Sequence, residues 1–400
     1  MCRKIILVIG VIFVAVIFFI NCNETGEDHS SISSIPILVG SDACAGCHKD
    51  IVESHLHTAH FNTTSPASIE TIKGSFNKDE NSYRFSKRSV VKCEEINGEF
   101  YQVAYVDGVE KMRQKFDIVF GDGINAQSFA SWSKDKLVQL PVSYLSTAER
   151  WINSPGYPDK IVFNRVITSR CLECHTTYAK VISREGVLEN FSRSNLVLGI
   201  DCEKCHGAAS NHVKYHRENP ADSAGKFIVS TKGFTRQQKL DMCALCHSGI
   251  MINKQPAFSF TPGDRLSDYY AYNTIAADIE SLDVHGNQYG LLTLSQCFLQ
   301  SDLTCNSCHD SHKKETGDIL LFSERCMSCH KEEHKKIQGV TGVSLQENCI
   351  DCHMPEKESK TIVFHDYSTK ERLAAGMRTH LIKIYPEQTE KIIRYLKQKK

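Results

Sequence analysis

Cys305-Asn306-Ser307-Cys308-His309, Cys326-Met327-Ser328-Cys329-His330 and Cys349-Ile350-Asp351-Cys352-His353 follow one another with hardly twenty residues between them. Each reads Cys-x-x-Cys-His, the attachment sequence for a c-type haem. The spacing has a chemical reason. Two thiols one helical turn apart can add across the two vinyl groups of one porphyrin, and the imidazole that follows then meets the iron from one face.

Four more copies lie upstream: Cys44 and Cys47 with His48, Cys171 and Cys174 with His175, Cys202 and Cys205 with His206, and Cys243 and Cys246 with His247. Seven motifs use fourteen of the 18 cysteines, and the expected cofactor is seven covalently attached haem c groups. Structural zinc is the rival for paired Cys-x-x-Cys, but zinc sites combine two such knuckles per metal and need no histidine directly after the second cysteine.

The chain opens Met1-Cys2-Arg3-Lys4, runs through apolar or small residues from Ile5 to Ile20, and turns polar at Asn21-Cys22-Asn23-Glu24. A basic head before an apolar run of this length reads as an export signal rather than a spanning helix. Attachment of haem to this motif is extracytoplasmic in bacteria, so leader and motifs agree on a periplasmic or outer-membrane-associated address. Cys22 stands where the modified cysteine of a lipoprotein would stand, although Asn21 is not the small residue usual before it; a lipid there would tie the chain to a membrane. Net formal charge is zero, which lacks the basic excess of a nucleic-acid footprint.

Removing the leader leaves 379 residues, about 54 for each haem. Porphyrins must then supply much of the buried apolar surface, and the expected fold is mainly α with extensive loops, a haem-filled core and a small inserted β-meander. The expected divisions are 1–21 as signal peptide, 22–40 as flexible tether, 41–70 as first haem segment, 71–150 as the β-meander insert, and 151–400 as a hexahaem domain ending in a helix. The insert is read from Tyr83-Arg84-Phe85, Val90 to Ile96, Phe100 to Val106 and Lys115 to Phe120, β-branched and aromatic runs with Asn97-Gly98 and Asp107-Gly108 as tight turns. A helix is expected from Cys47 to Phe61. The tail from Thr369 is expected to be an amphipathic helix broken by Pro386, burying Leu373, Met377, Ile382, Ile392, Ile393 and Leu396. Cys93 and Cys297 are left over and could pair in an oxidising compartment.

Beyond the seven motif histidines, eleven remain: His29, His55, His57, His60, His212, His216, His285, His312, His334, His365 and His380. Leaving aside His29 in the tether, ten candidates suffice for every iron to carry two histidines, the closed, low-potential state suited to electron transfer.

Several of these stretches resemble the superfamily of multihaem cytochromes that contains hydroxylamine oxidoreductase, the pentahaem nitrite reductase and the tetrahaem nitrifier cytochrome. Thr58-Ala59-His60 after the first motif is similar to that family's Ser-x-His, which favours His60 over His55 and His57 as a ligand. Cys202 to Val213 is similar to the family's haem motif followed by Gly-Pro-Gly-Ser-x-His-Val, which implies His212 as a distal ligand of a neighbouring haem. His309-Asp310-Ser311-His312 and Cys352-His353-Met354-Pro355 resemble recurring segments. The resemblance implies closely packed haem pairs. Taking these with the other histidines, the preferred distal ligands are His60, His212, His285, His312 and His380, then His216 and His365, with His334, in the charged run Lys331 to Lys336, last.

Departures from the family bear on the reaction. The Cys-x-x-Cys-Lys of the nitrite reductases does not occur in this sequence, and no spacing singles out Tyr269, Tyr270 or Tyr272 as the tyrosine that hydroxylamine oxidation would require. The reading is an exported heptahaem cytochrome that carries electrons in a respiratory chain between redox protein donors and acceptors. The alternative is an oxidoreductase acting on a small nitrogen or sulfur oxyanion at one five-coordinate haem.

Overall fold

The computed structural model describes residues 37–272, 282–331 and 346–398. The leader, Cys22, His29 and His334 lie outside the described residues.

The expectation of a mainly α chain is overturned: helix accounts for about 29% and strand for about 30%. Helix α1 (Ser41–His55) leads to strand β1 (Thr64–Pro66). The first of two larger sheets then follows as β2 (Ser82–Arg84), β3 (Ser89–Ile96), β4 (Glu99–Val106) and β5 (Val109–Lys115), paired in chain order. Its hairpins turn at Asn97-Gly98 and Asp107-Gly108. All four residues hold positive φ, which matches the right-handed twist of the flanking strands and explains those residue choices.

The second sheet has seven strands: β1, β6 (Ile118–Phe120), β7 (Ala126–Ser133), β8 (Lys136–Gln139) and β11 (Arg165–Val166) in one row, with β9 (Val142–Leu145) joining β7 to β10 (Arg150–Asn153). Between the two sheets and beside them lies an aromatic core containing Tyr83, Phe85, Phe100, Phe116, Phe129 and Trp151. Phe116 and Phe129 meet edge to face at 4.7 Å, an arrangement that adds to plain apolar burial. The side chains of this core pack directly on one another, and no motif cysteine belongs to it. Protein packing therefore supplies buried surface that the count of residues per haem had assigned to porphyrin.

Strand also continues past the expected insert. The second haem motif closes α2 (Ser169–His175) and runs straight into the hairpin β12 (Thr176–Glu185) and β13 (Leu188–Leu198). Three short helices follow: α3 (Cys202–His206), α4 (Ser210–Glu218) and α5 (Arg236–His247). A small pair, β14 (Met251–Asn253) and β15 (Tyr270–Tyr272), flanks α6 (Leu266–Tyr269). Next come α7 (Gln288–Leu292), α8 (Gln296–Leu299), α9 (Ile319–Met327) and α10 (Ile350–His353).

The tail departs from its helical expectation in its first half. Residues Glu371–Arg378 form a strand, β17, paired with β16 (Glu356–Asp366). Phe364 of this hairpin enters the aromatic core and Leu373 packs against it, so burial on a sheet outweighs the helical spacing. Pro386 opens the last helix, α11 (Pro386–Gln398), rather than breaking one, because a first-turn residue needs no N–H. Cys93 and Cys297 are both free thiols.

Candidate haem-binding site

Each motif sits on a helical turn. In the three clustered copies the histidine N–H bonds back to the carbonyl of the first cysteine, His309 to Cys305 at 2.9 Å, His330 to Cys326 at 3.0 Å and His353 to Cys349 at 3.1 Å. One turn of helix thus places two thiols and an imidazole on one face.

The motifs also touch each other. Thiols of Cys44 and Cys202 interact, as do those of Cys174 and Cys246, Cys243 and Cys305, and Cys326 and Cys349. Cys205 acts on Cys243, and Cys329 on Cys308. All seven motifs therefore belong to one connected cluster.

Buried carboxylates hold this cluster in place, and sequence reading had missed them. Glu203, inside the third motif, accepts hydrogen bonds from the backbone N–H of Val39, Gly40 and Ala209, and Asp201 beside it accepts from Ser41. Together they fix the start of α1, and with it the first motif, against the third. Glu173, inside the second motif, is fully buried. It takes the Phe258 N–H at 2.7 Å, the Tyr270 hydroxyl at 2.5 Å and Arg170 Nη1 at 2.8 Å. Arg170 reaches on to the carbonyl of Leu245 in the fourth motif at 3.0 Å. Arg325, directly before the sixth motif, binds Glu315 through two hydrogen bonds and the Cys308 carbonyl of the fifth motif at 2.6 Å. The legible signal was an acidic residue inside Cys-x-x-Cys, as in Cys-Leu-Glu-Cys and Cys-Glu-Lys-Cys.

The histidines divide by what their nitrogens do. His206, His212 and His353 each present Nδ1 to a backbone carbonyl, of Val229 at 2.9 Å, Lys226 at 2.7 Å and Lys383 at 3.1 Å. A carbonyl only accepts, so Nδ1 carries the proton and Nε2 keeps the lone pair that a metal needs. Nε2 of His216 is buried with no hydrogen-bond partner. His55 does the opposite: its Nε2 bonds the Ile200 carbonyl at 3.0 Å, a satisfied core histidine. Desolvation lowers the pKa of His60, His175 and His380 to about 4, and the neighbouring imidazoles His247, His285 and His309, respectively, push in the same direction. Neutral imidazole is the ligating form.

Several rings meet in pairs. His309 and His380 lie 6.1 Å apart between centroids with planes 28° apart, His206 and His312 6.2 Å and 21°, and His60 and His247 6.1 Å and 69°. Two imidazoles on opposite faces of one metal, with metal–nitrogen bonds of about 2 Å, have centroids about 6 Å apart. His285 stands near two motif imidazoles, His175 and His247, and since His247 already faces His60, His175 is the one left for it. His212 and His216, one turn apart on α4, meet edge to face at 4.5 Å and so cannot share an iron. His365 lies away from these pairs, stacked on Tyr367 at 5.9 Å. The donor set, two thiols and an imidazole in each motif, with a second imidazole about 6 Å from His206, His247 and His309, fits haem c.

Residues 127–207, which include the second and third motifs, match the family Cytochrome c554 and c-prime. The chain is a multihaem c-type cytochrome. It is 26% identical over 192 residues to the multiheme cytochrome MtrA of Shewanella baltica (strain OS185), a match covering 41% of this chain and 52% of that protein. The cytochrome thus spans about half the length of that curated relative. Its fold is similar to the crystal structure of outer cell wall cytochrome OcwA, with a TM-score of 0.55, 18% identity, and coverage of 88% of this chain and 81% of that one.

Proposed function

We propose that the cytochrome is an exported heptahaem electron carrier whose irons are closed by histidine on both faces, related to the hydroxylamine oxidoreductase superfamily. The observation that carries the reading is the packing of the motifs on one another, the first on the third through Glu203 and Asp201, the second on the fourth through Arg170 and the fifth on the sixth through Arg325. Bound haem c supplies reversible one-electron iron chemistry. The chain's own contribution is spacing and closure. Cys44, Cys47, Cys171, Cys174, Cys202, Cys205, Cys243, Cys246, Cys305, Cys308, Cys326, Cys329, Cys349 and Cys352 hold the porphyrins. His60 serves opposite His247, His312 opposite His206, His380 opposite His309 and His285 opposite His175. His212, His216 and His365 are assigned to the remaining motif histidines His48, His330 and His353. Closure by two imidazoles leaves no coordination position for a substrate, which favours transfer over catalysis.

The leader and the likeness to the outer cell wall cytochrome OcwA support an extracytoplasmic setting. Cys22 would carry a lipid there, and the partners are redox proteins that donate and accept single electrons.

Paramagnetic resonance and absorption spectra of the oxidised holoprotein test this reading, with its mass giving the haem count. Seven haem masses and low-spin signals unmoved by cyanide, nitrite or hydroxylamine are expected. A high-spin fraction near one iron in seven would overturn closure.

A further inference from the structure

His285 lies in no helix or strand, yet its surroundings fix it closely. Two residues earlier, the Asp283 carboxylate receives the Ser359 hydroxyl at 2.9 Å, the Lys360 N–H at 3.0 Å and the Thr361 N–H at 2.8 Å, all from β16. The register of β16 against β17 shifts between Glu358 and Val363, so these N–H groups have left the ladder and converge on one acceptor. The backbone N–H of His285 joins the same carboxylate at 3.3 Å. On the far side of the loop, Gly249 N–H bonds the Gly286 carbonyl at 2.6 Å and Gln288 bonds His247 Nδ1 at 3.1 Å. The loop is therefore pinned to the fourth motif at one end and to the β16–β17 hairpin at the other. The hairpin is in turn held in the aromatic core by Phe364.

We infer that Asp283 is a positioning residue for His285: its carboxylate, seated in the bulge of β16, sets where that imidazole stands relative to His175. The inference rests on the assignment of His285 to the second motif. A bulge that served only the sheet would need no acid from a distant loop. A loop that served only as a cover would not place its histidine N–H on the same acceptor as three donors from the hairpin. Charged acceptors hold such donors more strongly than neutral ones, so the carboxylate and not merely its shape matters.

The test uses the full-length haem-loaded protein. His285→Ala is expected to convert one iron in seven to a high-spin, cyanide-binding state that added imidazole restores. Asp283→Ala should show the same signal at a smaller fraction, also restored by imidazole, and Asp283→Asn should lie between it and wild type. If Asp283→Ala matures poorly, Ser359→Ala carries the test, removing one donor and giving a weaker form of the same signal. A wild-type spectrum for both Asp283→Ala and Ser359→Ala, with His285→Ala high-spin, overturns the positioning role alone. A low-spin His285→Ala overturns the ligand assignment itself, and the positioning role with it.

Discussion

The His309 and His380 rings face one another at 6.1 Å, nearly parallel, although one belongs to a haem motif and the other to the turn after β17. Ser295 secures that turn by donating to the His380 carbonyl at 3.1 Å and accepting the Ile382 N–H at 2.8 Å. His380→Ala is expected to leave one iron open on the face opposite His309. The oxidised spectrum should gain a high-spin component near one part in seven, and added imidazole should remove it. Ser295→Ala should retain a low-spin spectrum but lower the thermal midpoint, because it loses two backbone partners rather than the ligand.

Acid should loosen the join between the fifth and sixth motifs. Hydrogen bonds from Arg325 first, then the Asp310 N–H, lower the Glu315 pKa from 4.5 to about 2 against the opposing effect of burial. A carboxylate whose folded pKa is depressed contributes stability that is fully present above its unfolded pKa and is lost as pH falls through the folded one. The thermal midpoint should therefore fall between about pH 4.5 and pH 2. Glu315→Gln should flatten that part of the profile. At neutral pH the same variant should be less stable by about 1.5 to 3 kcal/mol, the range for hydrogen bonds to a charged group, because the Arg325 side chain keeps contact with water.

How far the sequence could be read follows the range of each signal. Haem attachment is local, and all seven motifs were visible as strings. The hairpins at Asn97-Gly98 and Asp107-Gly108 were visible for the same reason, since positive φ at two successive positions restricts the residues that can occupy them. Strands β12 and β13 were hidden because their run follows a haem motif without a break. Strand β17 was hidden because Leu373 and Met377 also fit helical spacing, and only the aromatic core beneath the hairpin decides between the two. His60 was singled out by a resemblance, yet its place facing His247 depends on how α1 docks, and the docking depends on Glu203. Such a carboxylate is ordinary in a sequence and informative only once its donors are known.

Glu203 is accordingly the next residue to test. It holds the N–H groups of Val39, Gly40 and Ala209, and its loss would leave them without their charged acceptor. Glu203→Ala should destabilise the protein by about 4 to 5 kcal/mol, at roughly 1.5 kcal/mol, the low end for a hydrogen bond to a charged group, for each of the three. The loss should be greatest at the N-terminal end of α1, read as faster amide exchange and earlier proteolysis before Ser41. Glu203→Gln keeps one acceptor oxygen and should fall between that variant and wild type.

The Glu173, Arg170 and Tyr270 group should influence reduction potential rather than ligation. Glu173 is fully buried between the second and fourth motifs, Tyr270 donates to it, and Arg170 stacks on the Tyr270 ring at 4.8 Å. A unit charge about 10 Å from an iron at an effective dielectric near 20 is worth about 1.7 kcal/mol, or roughly 70 mV for one electron. Glu173→Gln removes a negative charge that favours the oxidised iron, so one or two of the seven potentials should rise by tens of millivolts while the spectrum stays low-spin. Tyr270→Phe removes a hydrogen bond that disperses the same charge, so the shift should be smaller and opposite in sign. Spectroelectrochemical titration of both variants against wild type measures the two directions; shifts of the same sign, or none in either, would mean that the group acts on packing alone.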